Sequence, residues 1–139
     1  MDKKQKVLDF IKSQHLAVLT TINTLNKPES ATMGVGETDN LELIFGTYLS
    51  SRKYKNLQSN PNVSVVIGWD NNITVQYEGT MTEVEGEEKE KLVTLYYAKH
   101  KNAQKYKDNP EERYFKVTPK WLRYSNLNSE TWDIFEITF

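Results

Sequence analysis

The sequence predicts a mainly β fold, a small antiparallel barrel of six or seven strands with flanking helices. Segments rich in β-branched and aromatic residues recur along the chain, each bounded by turn-forming residues such as the "TLNKPE" at 24–29. Most connections between them are of hairpin length, which favours antiparallel pairing and a sheet that closes on itself. The 139 residues can fill one hydrophobic core. We therefore expect one domain over residues 1–139.

The strands are expected where apolar residues alternate with polar ones or run together. The expected ranges are 15–23, 30–37, 41–48, 63–69 and 71–84, with two further strands in "YFKVTPKWLRYSNL" and "TWDIFEITF". Gly34 and Gly36 in the second strand indicate that another group approaches the backbone closely. Trp69, Met33 and Met81 are expected in the core.

Three helices are predicted between these strands. The first spans residues 2–14, with Asp2 as its candidate cap. The second follows a pair of serines and stops at Asn60-Pro61. The third spans residues 86–106, and the side chains expected to face inward from it are Leu92, Leu95, Tyr96 and Ala103.

Composition narrows the function classes. The formal net charge is −1, and an acidic run at 85–90 precedes the lysines and tyrosines of "LYYAKHKNAQKYKD", so nucleic-acid binding is not expected. The absence of cysteine excludes disulfides and thiolate chemistry. No long apolar run and no signal-peptide pattern occur, which favours a soluble cytoplasmic protein without a membrane partner.

The stretch "FGTYLSSRKYKNLQSNPNVSVV" places Ser50, Ser51, Arg52 and Lys53 between an apolar strand and the first turn of a helix. A helix N-terminus has free amides and partial positive charge, which attract anions. Hydroxyl and cationic side chains at that point make a compact phosphate site. The alternative is that Ser50 caps the helix while the two cations lie in solvent.

The remaining histidines, lysines and tryptophans are candidates for metal, nucleophile, anion and contact sites. His15 and His100 are not at ligand spacing to a second histidine, so no metal site is expected, and no nucleophile motif surrounds either of them. A second anion site could be formed by Lys99, Lys101 and Lys105, but we favour solvated helix surface. Trp121 and Trp132 are candidates for dimer or cofactor contacts.

One long segment carries a family resemblance. The string "FGTYLSSRKYKNLQSNPNVSVVIGW" is similar to the strand–loop–helix–strand unit of the FMN-binding split-barrel superfamily, typified by pyridoxamine 5′-phosphate oxidase. The matching features are Thr47, Ser51-Arg52-Lys53, Asn60-Pro61 and Trp69. The remaining elements follow in the family order over nearly the whole chain. The sequence most resembles the small members similar to general stress protein 26.

The resemblance implies a homodimer with two FMN molecules at the subunit interface. Arg52 and Lys53 would hold the FMN phosphate with help from Ser51, and Thr47, after Gly46, would lie near the ribityl chain or the ring. The backbone expected along the isoalloxazine is that of Thr32, Met33, Gly34 and Val35. A later-strand glutamine of the family aligns with Thr74, with Gln76 close by, and Trp121 is a possible cofactor contact.

The departures from the oxidase pattern bear on its substrate. Ala31 aligns with an arginine of the oxidase and Ser125 with a tryptophan, and no arginine or histidine follows Arg123. Oxidation of pyridoxamine phosphate is therefore not expected. The favoured function is a flavin-dependent oxidoreductase that takes hydride from NAD(P)H and reduces an unidentified small molecule. The alternatives are a non-catalytic flavin-binding or stress-related regulatory module, and a barrel that binds deazaflavin F420 or haem, with His15 near the barrel opening.

Overall fold

The computed structural model describes residues 2–139 and alternates strands with three α-helices. The helices are α1 (Lys3–Lys12), α2 (Arg52–Ser59) and α3 (Gly86–Lys99), with a 3₁₀ helix (Lys101–Tyr106) after α3. The strands are β1 (Leu16–Ile22), β2 (Pro28–Gly34), β3 (Gly36–Glu37), β4 (Leu43–Tyr48), β5 (Asn62–Ile67), β6 (Ile73–Glu83), β7 (Glu112–Asn126) and β8 (Asp133–Thr138). The predicted mainly β architecture is confirmed.

All eight strands belong to one antiparallel sheet. Its order is β2-β1-β5-β6-β7-β4-β3, and β8 pairs with the second half of β7. β2 and β3 are two parts of one extended segment, residues 28–37, interrupted at Val35. β2 pairs with β1, whereas β3 pairs with β4 at the other end of the order. This segment therefore curls the sheet on itself, and the sheet has seven extended segments, within the six or seven strands predicted.

The barrel core is filled by the alternate side chains of the strands, and α1 adds Val7, Leu8 and Ile11 to it. Met81 lies in this core and Met33 packs against it, as predicted. Tyr77 is fully buried, and its hydroxyl donates to the Leu41 carbonyl at 2.7 Å. The other fully buried members with large side chains are Leu19, Leu41, Leu43, Phe45, Ile67, Phe115 and Leu122.

A second apolar cluster lies between α3 and the sheet. It consists of Ile44, Val84, Leu92, Tyr96, Tyr97 and Tyr114. The single helix predicted over 86–106 is two helices, because the backbone of His100 leaves the helical region (φ −114°, ψ 72°). Leu92 and Tyr96 face inward as predicted and Ala103 is partly buried, but the prediction for Leu95 is wrong, since it is 41% exposed.

The prediction that Trp69 is a core residue is also wrong, since its side chain is 52% exposed. β5 ends at Ile67, and Gly68 turns the chain with φ +83°. A side chain at Gly68 would collide with the ring of Phe10 from α1. The turn therefore places Trp69 outside the barrel. Among residues 2–139, no helix is long and apolar enough to cross a bilayer.

Candidate functional site

The loop after β4 delivers Ser51 to the N-terminus of α2. The Ser51 amide donates to the Tyr48 carbonyl at 3.0 Å, and the Ser51 hydroxyl accepts from the Tyr54 amide at 3.2 Å. Ser51, with extended backbone, is therefore the N-cap residue of α2. The alternative interpretation, in which Ser50 caps this helix, is wrong by one position.

Two amides at this helix end remain free. Among residues 2–139, neither the backbone N–H of Arg52 nor that of Lys53 donates a hydrogen bond. Beside them, the hydroxyls of Thr47 and Ser51 are 3.0 Å apart, and Thr47 is buried at the end of β4. The structure thus brings together Thr47 and the Ser-Arg-Lys motif as the sequence predicts.

Lys53 is the cation of this site that has no protein partner. Within residues 2–139, no carboxylate oxygen lies within 4 Å of its amine. Its side chain is half-buried, and that burial, followed by the charge of Arg52, lowers the pKa of Lys53. A partly desolvated ammonium without a counter-ion gains most from an incoming anion.

Arg52 has a different environment. Its side chain is 76% exposed, and its Nη1 lies 3.3 Å from Oε2 of Glu29 on β2. A small pocket of about 100 Å³ opens between β2 and the helix. It is lined by Glu29, Ser30, Ala31, Arg52 and Lys53. The N-terminus of α2 therefore faces β2, and we call this group of residues, with Thr47 and Ser51, the α2 cradle.

The glycines of the β2–β3 segment leave room for a side chain of the protein itself, that of Tyr96. A Cβ atom at Gly34 would lie 2.7 Å from the hydroxyl oxygen of Tyr96, and one at Gly36 would lie 3.1 Å from the Tyr96 ring. Sequence reasoning correctly inferred a close approach at these positions but assigned it to a flavin ring. Tyr96 makes that approach on the α3 side of the segment.

Gly46 and Thr47 lie on opposite faces of β4. Thr47 turns toward α2, whereas a Cβ atom at Gly46 would meet the Glu112 carboxylate and the Tyr114 ring, at 2.5 and 3.0 Å. Burial raises the pKa of the Glu112 carboxyl. Gly46 is therefore explained by the packing between β4 and β7, and only Thr47 belongs to the α2 cradle.

Four predicted site residues, Thr32, Thr74, Gln76 and Trp121, lie on the outer face of the sheet. The strand register places Thr32 of β2 and Gln76 of β6 in one row, with Val18 of β1 and Val66 of β5 between them. Thr74 and Trp121 share that face, and the Trp121 Nε1 donates to Glu136 at 2.9 Å. Three strand spacings separate Thr32 from Gln76, roughly 14 Å. One protomer therefore does not bring Gln76 and Trp121 to the α2 cradle.

The two histidines, which are not at ligand spacing in the sequence, are neighbours in the structure. Their ring centroids are 5.7 Å apart, because the start of β1 and the end of α3 both pack beside Val35. His100 stacks on Tyr96 with 4.6 Å between centroids, and its Nε2 lies 2.8 Å from the Val35 carbonyl. Burial lowers the pKa of His100. We call the adjoining cavity, of about 480 Å³, the histidine cavity.

The lysines near this cavity differ in environment. Lys105 is exposed at its rim, whereas the Lys99 side chain is only 10% exposed, pairs with Glu37 and donates to the Ile11 carbonyl at 3.0 Å. The prediction of solvated helix surface is therefore wrong for Lys99. Burial lowers the pKa of Lys99 against the opposing effect of Glu37. Among residues 2–139, no group of three potential metal-ligating side chains occurs.

The family is decided by a match over most of the chain. The model of the family described as pyridoxamine 5′-phosphate oxidase matches residues 4–126. The chain belongs to the pyridoxamine 5′-phosphate oxidase family. No curated protein sequence matches it.

Solved structures of this family's fold superpose over nearly the whole chain. General stress protein 26 from Bacillus anthracis str. Sterne has 23% identity and a TM-score of 0.78, with 100% of each chain covered. A haem-binding protein from Mycobacterium smegmatis has 15% identity and a TM-score of 0.83. The match covers 99% of this chain and 59% of the length of that protein. The haem storage protein HutZ from Vibrio cholerae has 14% identity and a TM-score of 0.74, covering 86% and 92%. At these identities the likeness shows the fold alone.

In this member of the pyridoxamine 5′-phosphate oxidase family, sequence reasoning missed Glu29. Its carboxylate accepts from Asn56 Nδ2 at 2.9 Å and from Asn23 Nδ2 at 3.1 Å, besides facing Arg52. These contacts, Asn56 first, lower the pKa of Glu29. One signal was present in the sequence. Thr21 occupies a core position of β1, and a buried hydroxyl there needs a polar partner. That partner is Asn56, which also donates to Glu29.

Proposed function

We propose that this family member binds FMN at the α2 cradle and acts as a flavin-dependent oxidoreductase. The observation that carries the proposal is the half-buried, unpaired ammonium of Lys53 beside two free amides at a helix N-terminus. A phosphate monoester matches these groups, because it is a dianion with several strong acceptor oxygens. Ser51 and Thr47 add hydroxyls at the same end of the helix.

The rest of the ligand would extend along β2. The open outer face of β2 carries Thr32, with the backbone of Met33, Gly34 and Val35 following it. Bound FMN would supply two-electron chemistry between a reduced nicotinamide and a small-molecule substrate. The chain's own part would be to hold the phosphate and orient the ring, so no side chain is assigned as a general acid or base. Ala31 leaves the cradle without the oxidase arginine, so pyridoxamine phosphate is not the proposed substrate.

We propose further that the protein is a homodimer with FMN shared between subunits. Two observations support this arrangement. Gln76 and Trp121 lie on the outer sheet face, away from the cradle of their own protomer. The same face exposes apolar side chains, with Leu16 49% and Ile134 37% exposed. A second copy packed on this face would cover them and bring Gln76 toward the partner's cradle.

The phosphate assignment is tested by titrating FMN with the protein and following flavin fluorescence. Lys53→Ala should weaken FMN binding roughly 10- to 150-fold, since a charge-assisted hydrogen bond contributes about 1.5–3 kcal/mol. Lys91→Ala, on the exposed face of α3, is the matched control and should bind as the wild type does. Equal affinity of the Lys53 variant and the control would contradict the assignment. Turnover with NAD(P)H then separates an enzyme from a non-catalytic flavin module.

A second candidate ligand is haem, in the histidine cavity. The observation that favours it is the pair of imidazoles, His15 and His100, at the mouth of a cavity flanked by Lys99 and Lys105. Imidazole nitrogen is a common axial ligand of haem iron, and the exposed Lys105 suits a propionate. A haem Soret band that forms with the wild type and is lost in His15→Ala would support haem. Deazaflavin F420, which also carries phosphate, would be recognised by its different absorbance.

A further inference from the structure

We propose that Glu29 is a positioning residue of the α2 cradle, which holds the Arg52 guanidinium ready for the phosphate. This inference rests on the proposed function, because it concerns the same anion site. By its charge alone, a carboxylate beside an anion site should repel the anion and weaken binding. The contacts of Glu29 indicate the opposite effect.

Glu29 is fixed by two asparagine side chains, one of which shares Oε2 with Arg52. Asn56, which is buried, donates from one nitrogen to Thr21 Oγ1 and to Glu29 Oε1, each at 2.9 Å. Asn23 donates to Glu29 Oε2 at 3.1 Å. The carboxylate is thus bound to α2 and to the loop after β1. It therefore has one position, which the folded protein determines.

Arg52, by contrast, has only this carboxylate to hold it. Its side chain is 76% exposed at the first turn of α2, and Glu29 is its single ion-pair partner within residues 2–139. A long exposed side chain loses rotamer freedom when it captures a ligand, and this loss weakens binding. With Oε2 at 3.3 Å from Nη1, Glu29 restricts the guanidinium before the ligand arrives. The guanidinium has five N–H donors, so the phosphate can still be bound by those that Glu29 does not use.

Two observations make this more than a structural ion pair. Glu29 and Arg52 line the same small pocket as Lys53, at the free amides of α2. Its hydrogen bonds to Asn56 and Asn23 keep the Glu29 carboxylate charged, as its lowered pKa indicates. The charged Glu29 carboxylate also fixes the direction in which the Arg52 guanidinium points. A neutral side chain at position 29 would not do so, because its hydrogen bond to the guanidinium would be weaker.

The test is a double-mutant cycle on FMN affinity with Glu29→Gln and Arg52→Ala. In Glu29→Gln the side-chain oxygen can still accept from Asn56, so the buried hydrogen bond is kept, while the amide NH₂ that replaces Oε2 can accept from neither Arg52 nor Asn23. Glu29→Gln should weaken FMN binding about three- to fivefold, the range expected for an exposed ion pair. In the Arg52→Ala background, the same change should have no further effect, because Glu29 acts through Arg52.

Glu87→Gln, an exposed carboxylate on α3, is the matched control and should leave the affinity unchanged. FMN binding by Glu29→Gln that is as tight as that of the wild type, or tighter, would overturn the inference. The inference would also fall if the fold-changes in FMN affinity of Glu29→Gln and Arg52→Ala multiplied in the double variant. Multiplying effects would mean that Glu29 acts on the fold of the cradle and not through Arg52. If the wild type itself does not bind FMN, the proposed function and this inference fall together, and that outcome is distinct from the other two.

Discussion

At Gly34 a missing side chain makes room for Tyr96. The tyrosine hydroxyl occupies the space of a Cβ atom, and its ring stacks on His100, which in turn binds the Val35 carbonyl. These contacts attach α3 to the point where the β2–β3 segment passes from β1 to β4. A single glycine therefore links the closure of the barrel to the position of the histidine cavity.

Gly34→Ala should lower the free energy of unfolding by about 1–3 kcal/mol, the cost of overpacking a well-filled site. The new methyl group would lie 2.7 Å from the Tyr96 oxygen. In a Tyr96→Phe background the nearest atom of residue 96 becomes the ring carbon at 3.7 Å, with His100 at 3.5 Å, so the loss should become smaller. Urea denaturation of the wild type, the two single variants and the double variant measures both losses. An undiminished loss in the Tyr96→Phe background would show that the tyrosine hydroxyl is not what the glycine accommodates.

At the scale of one element, α2 is a short helix whose two ends serve different purposes. Its N-terminus presents free amides and Lys53 to the cradle, and its buried face attaches through Asn56 to Thr21 and through Leu57 to the core. Since short helices are marginal in isolation, the cap and these tertiary contacts hold α2 in place. The geometry of the cradle therefore depends on the stability of this helix end.

Ser51→Ala should lower the free energy of unfolding by about 1 kcal/mol, because Tyr54 loses the acceptor for its amide. Ser50→Ala is the matched control at the neighbouring position and should leave stability nearly unchanged, since Ser50 is exposed and does not cap α2. Denaturant unfolding at one protein concentration compares the two. A larger loss in the Ser50 variant would contradict the assignment of the cap.

At the scale of the whole molecule, the outer sheet face and the cradle are separate in one protomer. In a dimer that shares FMN, loss of the dimer should remove the flavin as well. Ile134→Lys would place a charge on the exposed apolar face of β8, which pairs with residues 121–126 of β7, whereas Thr47 of the cradle lies opposite Arg113 at the other end of β7. Analytical ultracentrifugation with absorbance at flavin wavelengths should show a monomer without FMN for this variant and a flavin-bearing dimer for the wild type.

The matched control for this experiment is Glu87→Gln, which changes charge on α3 and leaves the sheet face intact. It should sediment as the wild type does. Tight FMN binding by a monomeric Ile134→Lys protein would contradict a shared site. A wild type that sediments as a monomer and still holds FMN would contradict it directly.

The sequence was sufficient for the strand series because the core positions alternate clearly. β6, for example, shows the alternation of buried and exposed residues that an antiparallel strand with one buried face requires. The break at Val35 was not predictable, because it results from pairing with two different strands. Trp69 was misassigned because apolar character does not reveal a turn at a left-handed glycine such as Gly68.

For the candidate site, the local motif was predictable and the distant partners were not. Thr47, Ser51 and Lys53 are close in sequence, and a strand–turn–helix unit places them together. Glu29 and Arg52 are far apart in sequence and meet only because β2 lies beside α2. The same holds for His15 and His100, which tertiary packing brings within 5.7 Å. Sequence spacing carries no information on such pairs.

The central claim, that this chain binds FMN through the α2 cradle, is tested most directly by one absorbance measurement. The purified protein is incubated with FMN, passed through a desalting column, and its spectrum compared with that of Lys53→Ala treated in the same way. We expect paired flavin bands that remain with the wild-type protein and are strongly reduced in the variant. Flavin bands absent from the wild type, or equal in both proteins, would contradict the claim.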